Sequence, residues 1–184
     1  METVTRRLLL LLLAAACLCA PGRLDAAMPP SEYEVKAAFL YNFAKYVQWP
    51  PSARSDSNGP FVIGVLGKDP FGPILDRAMN GQSVQGRAIV VRRFVRIEEI
   101  ECDLLFVSSS EHQNLQKIFD ALHRRAVLTV GDSRQFAELG GMFNLTTEES
   151  RIHFEMNPEA IQRAGLKAGS QLFRFARIVR ESRR

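Results

Sequence analysis

Apolar and polar positions along the chain change their period several times, and each change marks an element. From Ser31 to Gln48, apolar Val35, Phe39, Phe43 and Val47 recur at helical spacing, which predicts a helix with one buried face. Ser31 with Glu34 three residues on forms a capping box at its start, and Trp49-Pro50-Pro51 stops it. After a polar, turn-rich stretch over 52–59, the continuous apolar run Phe61–Leu66 predicts a buried strand. Pro73 opens a short helix through Met79.

Alternation over Ala88–Val95 and the run Leu104–Val107 predict two further strands. Glu111–His123 is amphipathic, with Leu115, Ile118, Phe119 and Leu122 on one face. Ala126–Val130 predicts a strand, and Ser133–Leu139 a short helix capped by Asp132 or Ser133. Met142–Leu145 and Ile152–Met156 form a hairpin around Thr147–Ser150, and Pro158 starts a helix that Gly165 ends. A last helix over Ser170–Val179 is expected to turn Leu172, Phe175, Ala176 and Val179 inward.

Strands alternating with helices imply an α/β fold: a single-domain layered sandwich over residues 31–180, with a mostly parallel central sheet, a C-terminal β-hairpin and helices on both faces. A chain of 184 residues that is 46% hydrophobic and 24% charged supports one such core and excludes disorder and coiled coil.

Charge adds a regional feature. Residues 163–184 hold seven basic side chains against Glu181 alone, so the formal charge of +4 has its origin in the C-terminus, with 181–184 as a basic tail. Such a cluster suits a solvated face, an anionic bilayer or an acidic partner. Nucleic acid is not expected without interleaved exposed aromatics.

At the other end, Arg6 and Arg7 precede the apolar stretch Leu8–Ala16 and then small residues, the pattern of an export signal over residues 1–27 with cleavage between 20 and 27. Lipidation at Cys17 is the alternative, since Ala15 and Ala16 precede it. Removal of the signal leaves Cys102 as the sole cysteine, so no intramolecular disulfide is expected.

Candidate chemistry is sparse. Gly64-Val-Leu-Gly67-Lys68-Asp69 follows a strand, but Val62 stands where a phosphate-binding loop needs its first glycine. Gly131-Asp-Ser133 lacks the second glycine of a nucleophile elbow. His112, His123 and His153 are too far apart for a helical pair of metal ligands. Cys102 adjoins Asp103, whose charge disfavours a thiolate. Ser108–Ser110, at a strand end, suits a cap or a small anion. No catalytic residue, metal site or cofactor is expected.

Several long motifs together carry more information. Glu34-Val-Lys-Ala-Ala-Phe-Leu-Tyr-Asn-Phe-Ala-Lys-Tyr-Val-Gln-Trp-Pro50, Leu128-Thr-Val-Gly-Asp132, Gly140-Gly-Met-Phe-Asn144, Phe154-Glu-Met-Asn157, Ala164-Gly-Leu-Lys167 and Leu172-Phe-Arg-Phe-Ala176 closely resemble the YfiR family, in its order, over residues 33–179. The resemblance implies a periplasmic, non-enzymatic regulator. Its partner would be the periplasmic part of an inner-membrane diguanylate cyclase or another sensor protein, and an outer-membrane lipoprotein would sequester it.

That circuit sets cyclic di-GMP, and so biofilm formation and motility. The family's hairpin and following helix match Glu155, Asn157, Ile161, Arg163 and Lys167, an expected partner-binding set with one exposed aliphatic. The competing expectation is that Asn157 caps the helix while Glu155 and Lys167 sit in solvent. The family pattern includes disulfides that unpaired Cys102 cannot reproduce, although a homodimer bridged through it stays open. Two rival functions also stay open: a small-solute-binding module serving a histidine kinase or uptake receptor, and a hydrolase built on Ser133 with a distant histidine.

Overall fold

The computed structural model describes residues 30–51 and 59–182. The expected export signal, the lipidation site at Cys17 and the end of the basic tail lie outside these residues.

Helix α1 (Glu32–Tyr46) starts at the expected capping box, with the Ser31 side chain accepting from the Glu34 amide and the Glu34 carboxylate accepting from the Ser31 amide at 2.7 Å. Its buried stripe is Lys36, Ala37, Leu40, Phe43 and Ala44, turned about one position from the expected face, so that Val35 and Phe39 are half-buried. Strand β1 (Val47–Gln48) follows, and the nearby Trp49 indole donates to the Ala126 carbonyl at 2.9 Å.

The remaining elements are β2 (Phe61–Leu66), α2 (Pro73–Met79), β3 (Ser83–Val84), β4 (Arg87–Phe94), β5 (Leu104–Val107), α3 (Leu115–Ala121), β6 (Leu128–Gly131), β7 (Phe143–Glu148), β8 (Arg151–Met156), α4 (Pro158–Arg163), β9 (Lys167–Ala168), α5 (Ser170–Phe173) and β10 (Arg177–Ile178). Among the described residues, eight strands form one sheet in the order β10-β8-β7-β6-β5-β2-β4-β3. The run β7-β6-β5-β2-β4 is parallel throughout, and β1 pairs separately with β9. The fold is therefore α/β with a mostly parallel sheet, as expected.

Alternation within the strands divides the core in two. Ile63, Val65, Leu104, Phe106, Leu128 and Val130 meet α1 and α2 on one face, where Phe43 stacks on Phe143 at 4.3 Å and meets Phe154 edge-on. On the other face Leu66, Leu105 and Val107 meet Leu115, Ile118 and Phe136. Gly64 interrupts the apolar run because the Phe94 ring occupies its side-chain space: a Cβ there would lie 2.7 Å from the ring.

Three expectations are corrected. The stretch 134–140 is a series of turns rather than a helix, because Gln135 adopts the left-handed region (φ +59°) and interrupts helical hydrogen bonding. The helix expected over Glu111–His123 begins as a 3-10 segment, Ser109–Asn114, and becomes α-helical only at Leu115. The last helix is a single turn, α5, after which β10 joins β8 in parallel and the Val179 amide donates to the Met156 carbonyl at 2.9 Å. Leu172 is buried, but Phe175 is 74% exposed instead of facing inward. Docking on the sheet edge gives the backbone partners that a helix would otherwise have supplied.

Candidate functional site

The site forms where β6 ends, beside the first residues of β7. The ring of Phe136 lies against Gly131 and Gly141 so closely that a Cβ on them would approach it to 2.5 and 2.2 Å. This folds the chain back directly after β6 and leaves Asp132 and Ser133 at the strand's carboxyl end. Asp132 does not cap a helix. Its Oδ2 accepts from Lys36 Nζ at 2.8 Å and from the Tyr33 hydroxyl at 3.4 Å, while Glu32 takes Lys36 Nζ from the solvent side at 2.7 Å.

Both Lys36 and Asp132 side chains are almost wholly buried. Burial alone would lower the Lys36 pKa, but hydrogen bonds to Asp132 and Glu32 outweigh it and raise the value, so the ammonium stays charged. The hydrogen bond from Lys36 holds the Glu32 carboxyl below its ordinary range. Burial and the Asp132 charge push the Tyr33 phenol up.

A cleft of about 470 Å³ lies over this pair, between the turn at Ser133 and the β7–β8 hairpin. Asn144 on β7 donates through Nδ2 to Glu155 on β8 at 2.9 Å, and Arg177 on β10 reaches Glu148 at 3.1 Å and Glu155 at 3.9 Å. Among the described residues, three buried atoms lining the cleft, Asp132 Oδ1, Ser133 Oγ and Asn144 Oδ1, have no hydrogen-bond partner. Buried polar atoms are rarely left so, because each costs free energy.

A family model described as YfiR/HmsC-like matches residues 33–177, from the first turn of α1 into β10. The chain belongs to the YfiR/HmsC-like family. The family is one of periplasmic regulators rather than catalysts. Among the described residues, no helix is long and apolar enough to cross a membrane, and no group of three or more His, Cys, Asp or Glu is placed to hold a metal ion.

Within this YfiR/HmsC-like fold the five residues expected to bind a partner separate. Glu155 lines the cleft with its side chain 13% exposed. Asn157 is fully buried: its Oδ1 accepts from the Ala160 amide at 3.0 Å, capping α4, and its Nδ2 donates to the Ala137 carbonyl at 2.9 Å. Ile161 was expected at the surface and is buried in the core against α4's neighbours, so it presents no side-chain surface to a partner. Arg163 is exposed and paired with Glu181, and exposed Lys167 stands opposite Gln48 in the β1–β9 pair.

A second surface feature lies nearby. Phe175, Ile178 and Phe173 are the exposed large apolar side chains of the C-terminal segment, and the Arg174 guanidinium lies 5.9 Å from the centre of the Phe175 ring. Phe175 also borders an apolar groove of about 500 Å³ with Phe39, Ile152, Phe154 and Leu172.

Other candidates have structural roles. The Ser108 side chain accepts from the Ser110 amide and caps the 3-10 segment, and Ser110 Oγ accepts from the Lys68 amide at 3.0 Å, holding the loop after β2. Asp69 Oδ1 accepts from the Phe71 amide at 2.8 Å. Among the described residues, none of the three histidines lines the cleft that Ser133 lines, which leaves that serine without the histidine the hydrolase reading needs. Cys102 precedes β5 as a free thiol, and burial pushes its pKa up to about 12, far from a reactive thiolate.

Lys36 and Asn144 carry the cleft and were not singled out in the sequence. The available signals were a lysine one position from Ala37 on an apolar helix face and an asparagine within Met142-Phe-Asn-Leu145.

Proposed function

We propose that this YfiR/HmsC-like protein is a periplasmic regulator that binds the periplasmic part of an inner-membrane diguanylate cyclase and lowers its cyclic di-GMP output. The observation that carries the reading is the family match across residues 33–177. The surface around β10 supports it. Phe175 and Ile178 expose apolar area beside the charged Arg174 and Arg177, the mixture of aromatic anchor and polar rim that reversible protein contacts use.

The mechanism is a population shift: the regulator binds the inactive form of the cyclase's sensor region better than the active form, and the difference in affinity sets the repression.

Intracellular cyclic di-GMP is measured in the native organism with the gene deleted and then restored. The reading expects a rise on deletion that restoration reverses; an unchanged level in both strains defeats it. Phe175→Ser and Arg163→Glu are expected to lose repression with little change in stability, because both side chains are exposed. Ile161→Ala, by contrast, is expected to act through folding, since that side chain is buried.

A further inference from the structure

We propose that the cleft between the carboxyl end of β6 and the β7–β8 hairpin binds a compact organic cation rich in N–H donors, a primary ammonium or guanidinium group, on Asp132, Ser133, Asn144 and Glu155. This goes beyond cyclase regulation and holds whichever membrane protein is the partner.

The argument starts from unpartnered acceptors. Among the described residues, Asp132 Oδ1 and Asn144 Oδ1 accept no hydrogen bond, and Ser133 Oγ makes none. They are deeply buried: the Asp132 side chain is 5% exposed, and the residues Ser133 and Asn144 are 7% and 2% exposed. All three residues line the same cleft, whose volume of about 470 Å³ is in the range of small-molecule sites. Two of the three atoms are carbonyl or carboxylate oxygens, which only accept, so the missing group is a donor. The torsions that bring such oxygens to a cleft surface are soft, since terminal carboxylates and amides turn through broad wells.

Charge selects a cation among donors. Five carboxylates and three basic side chains line the cleft. Lys36 is shared by Glu32 and Asp132, and Arg177 by Glu148 and Glu155; even with Arg134 set against Glu138, the lining stays net negative. Glu155 has one oxygen engaged by Asn144 and holds Arg177 only at 3.9 Å, which leaves it able to face an incoming cation. A planar guanidinium or a three-donor ammonium satisfies several acceptors at once, and charge-assisted hydrogen bonds are the strong ones.

The same chemistry reaches the cleft as a free solute or as a lysine or arginine side chain of a protein partner. Titration calorimetry with agmatine, L-arginine and the blocked peptide acetyl-Gly-Arg-Gly-amide separates the two sources. Saturable binding of agmatine or L-arginine without the blocked peptide assigns a free solute. Equal or tighter binding of the blocked peptide assigns a partner's basic side chain.

Glu155→Gln and Ser133→Ala are each expected to weaken the binding probe by about tenfold, the loss of one hydrogen bond to a charged group. Acetate and sulfate at matched ionic strength are expected to give no saturable heat. The unliganded Ser133→Ala protein is expected to melt no lower than the parent, because the change removes a buried hydroxyl that has no partner. Absence of saturable binding by all three cationic probes, affinities unchanged in both variants, or equal binding of the anions would each overturn the proposal.

Discussion

Two places at the carboxyl ends of the same sheet carry polar side chains, and they are built in opposite ways. Beyond β2 and β5, where chain order reverses and α/β proteins commonly bind ligands, the polar groups satisfy one another. Ser110 accepts from the Lys68 amide, Asp69 accepts from the Phe71 and Gly72 amides, and Arg93 bridges Asp69 and Asp76. Ser110 and Glu111 also close over Gly67, which has a left-handed φ of +86° and no room for a Cβ. Beyond β6 and beside the start of β7, Lys36 and Asp132 pair beneath a cleft, yet among the described residues three buried polar atoms there have no partner. The contrast teaches that polarity at a strand end does not make a site. What distinguishes a site is buried hydrogen-bonding capacity that the chain itself does not use.

The largest effect that tests this contrast comes from breaking an ion pair at each place. Asp132→Ala strips Lys36 of its buried partner and is expected to cost about 3 kcal/mol. Asp76→Ala loosens a pair whose arginine is 37% and whose carboxylate is 50% exposed, and is expected to cost about 1 kcal/mol. Urea denaturation of both variants measures the difference, and equal losses would erase it.

Next in size is Gly131→Ala, whose Cβ collides with the Phe136 ring that shapes the turn beside Asp132; overpacking there is expected to cost about 2 kcal/mol. The melting temperature would report this.

A smaller and sharper test compares two serines. Ser110→Ala removes the acceptor for the Lys68 amide and is expected to destabilise by about 1 kcal/mol, whereas Ser133→Ala is expected to be neutral or stabilising. Thermal melts of the two variants side by side decide it, and a comparable loss in both would show that Ser133 has a partner after all.

The smallest expected effect is pH dependence. Hydrogen bonds from Lys36 and Arg93 lower the Glu32 and Asp76 pKa values, so each contributes stability above the ordinary carboxylate range, about pH 4, that is lost as pH falls through the lowered values. The raised Lys36 pKa acts in the other direction: its contribution is complete below about pH 10 and is lost as pH rises through the raised value. Acid melts of Glu32→Gln and Asp76→Asn, each flatter than the parent below pH 4, would show both carboxylates at work. An alkaline melt of Lys36→Met that lacks the parent's loss would show the lysine.

How much of this was legible in the sequence depended on the range of the interactions involved. β2 and α2 were expected with their observed bounds, and the capping box of α1 was read directly, because a strand buried on both faces and a capped helix leave local patterns. The family motifs were legible for the same reason, as contiguous residues, and they carried the regulatory reading.

The failures lie where a distant segment decides. Gln135 turns left-handed as the chain folds around Phe136, whose ring needs the space that Gly131 and Gly141 leave open. The chain leaves α5 through a turn at Arg174 and Phe175 because the β8 edge offers hydrogen bonds to Arg177 and Ile178, so Phe175 faces solvent at the very spacing that would have buried it in a longer helix. Ile161, expected at a contact surface, packs into the core because α4 lies across it.

The sequence by itself therefore determined the fold class, most elements and the family, since these follow from local periodicity and contiguous motifs. The tertiary structure alone decided which polar groups meet. Lys36 and Asp132 stand 96 residues apart, and Asn144 and Glu155 meet only through the register of β7 with β8. Whether a buried acceptor is satisfied depends on the positions of all its neighbours, and no local pattern encodes that sum.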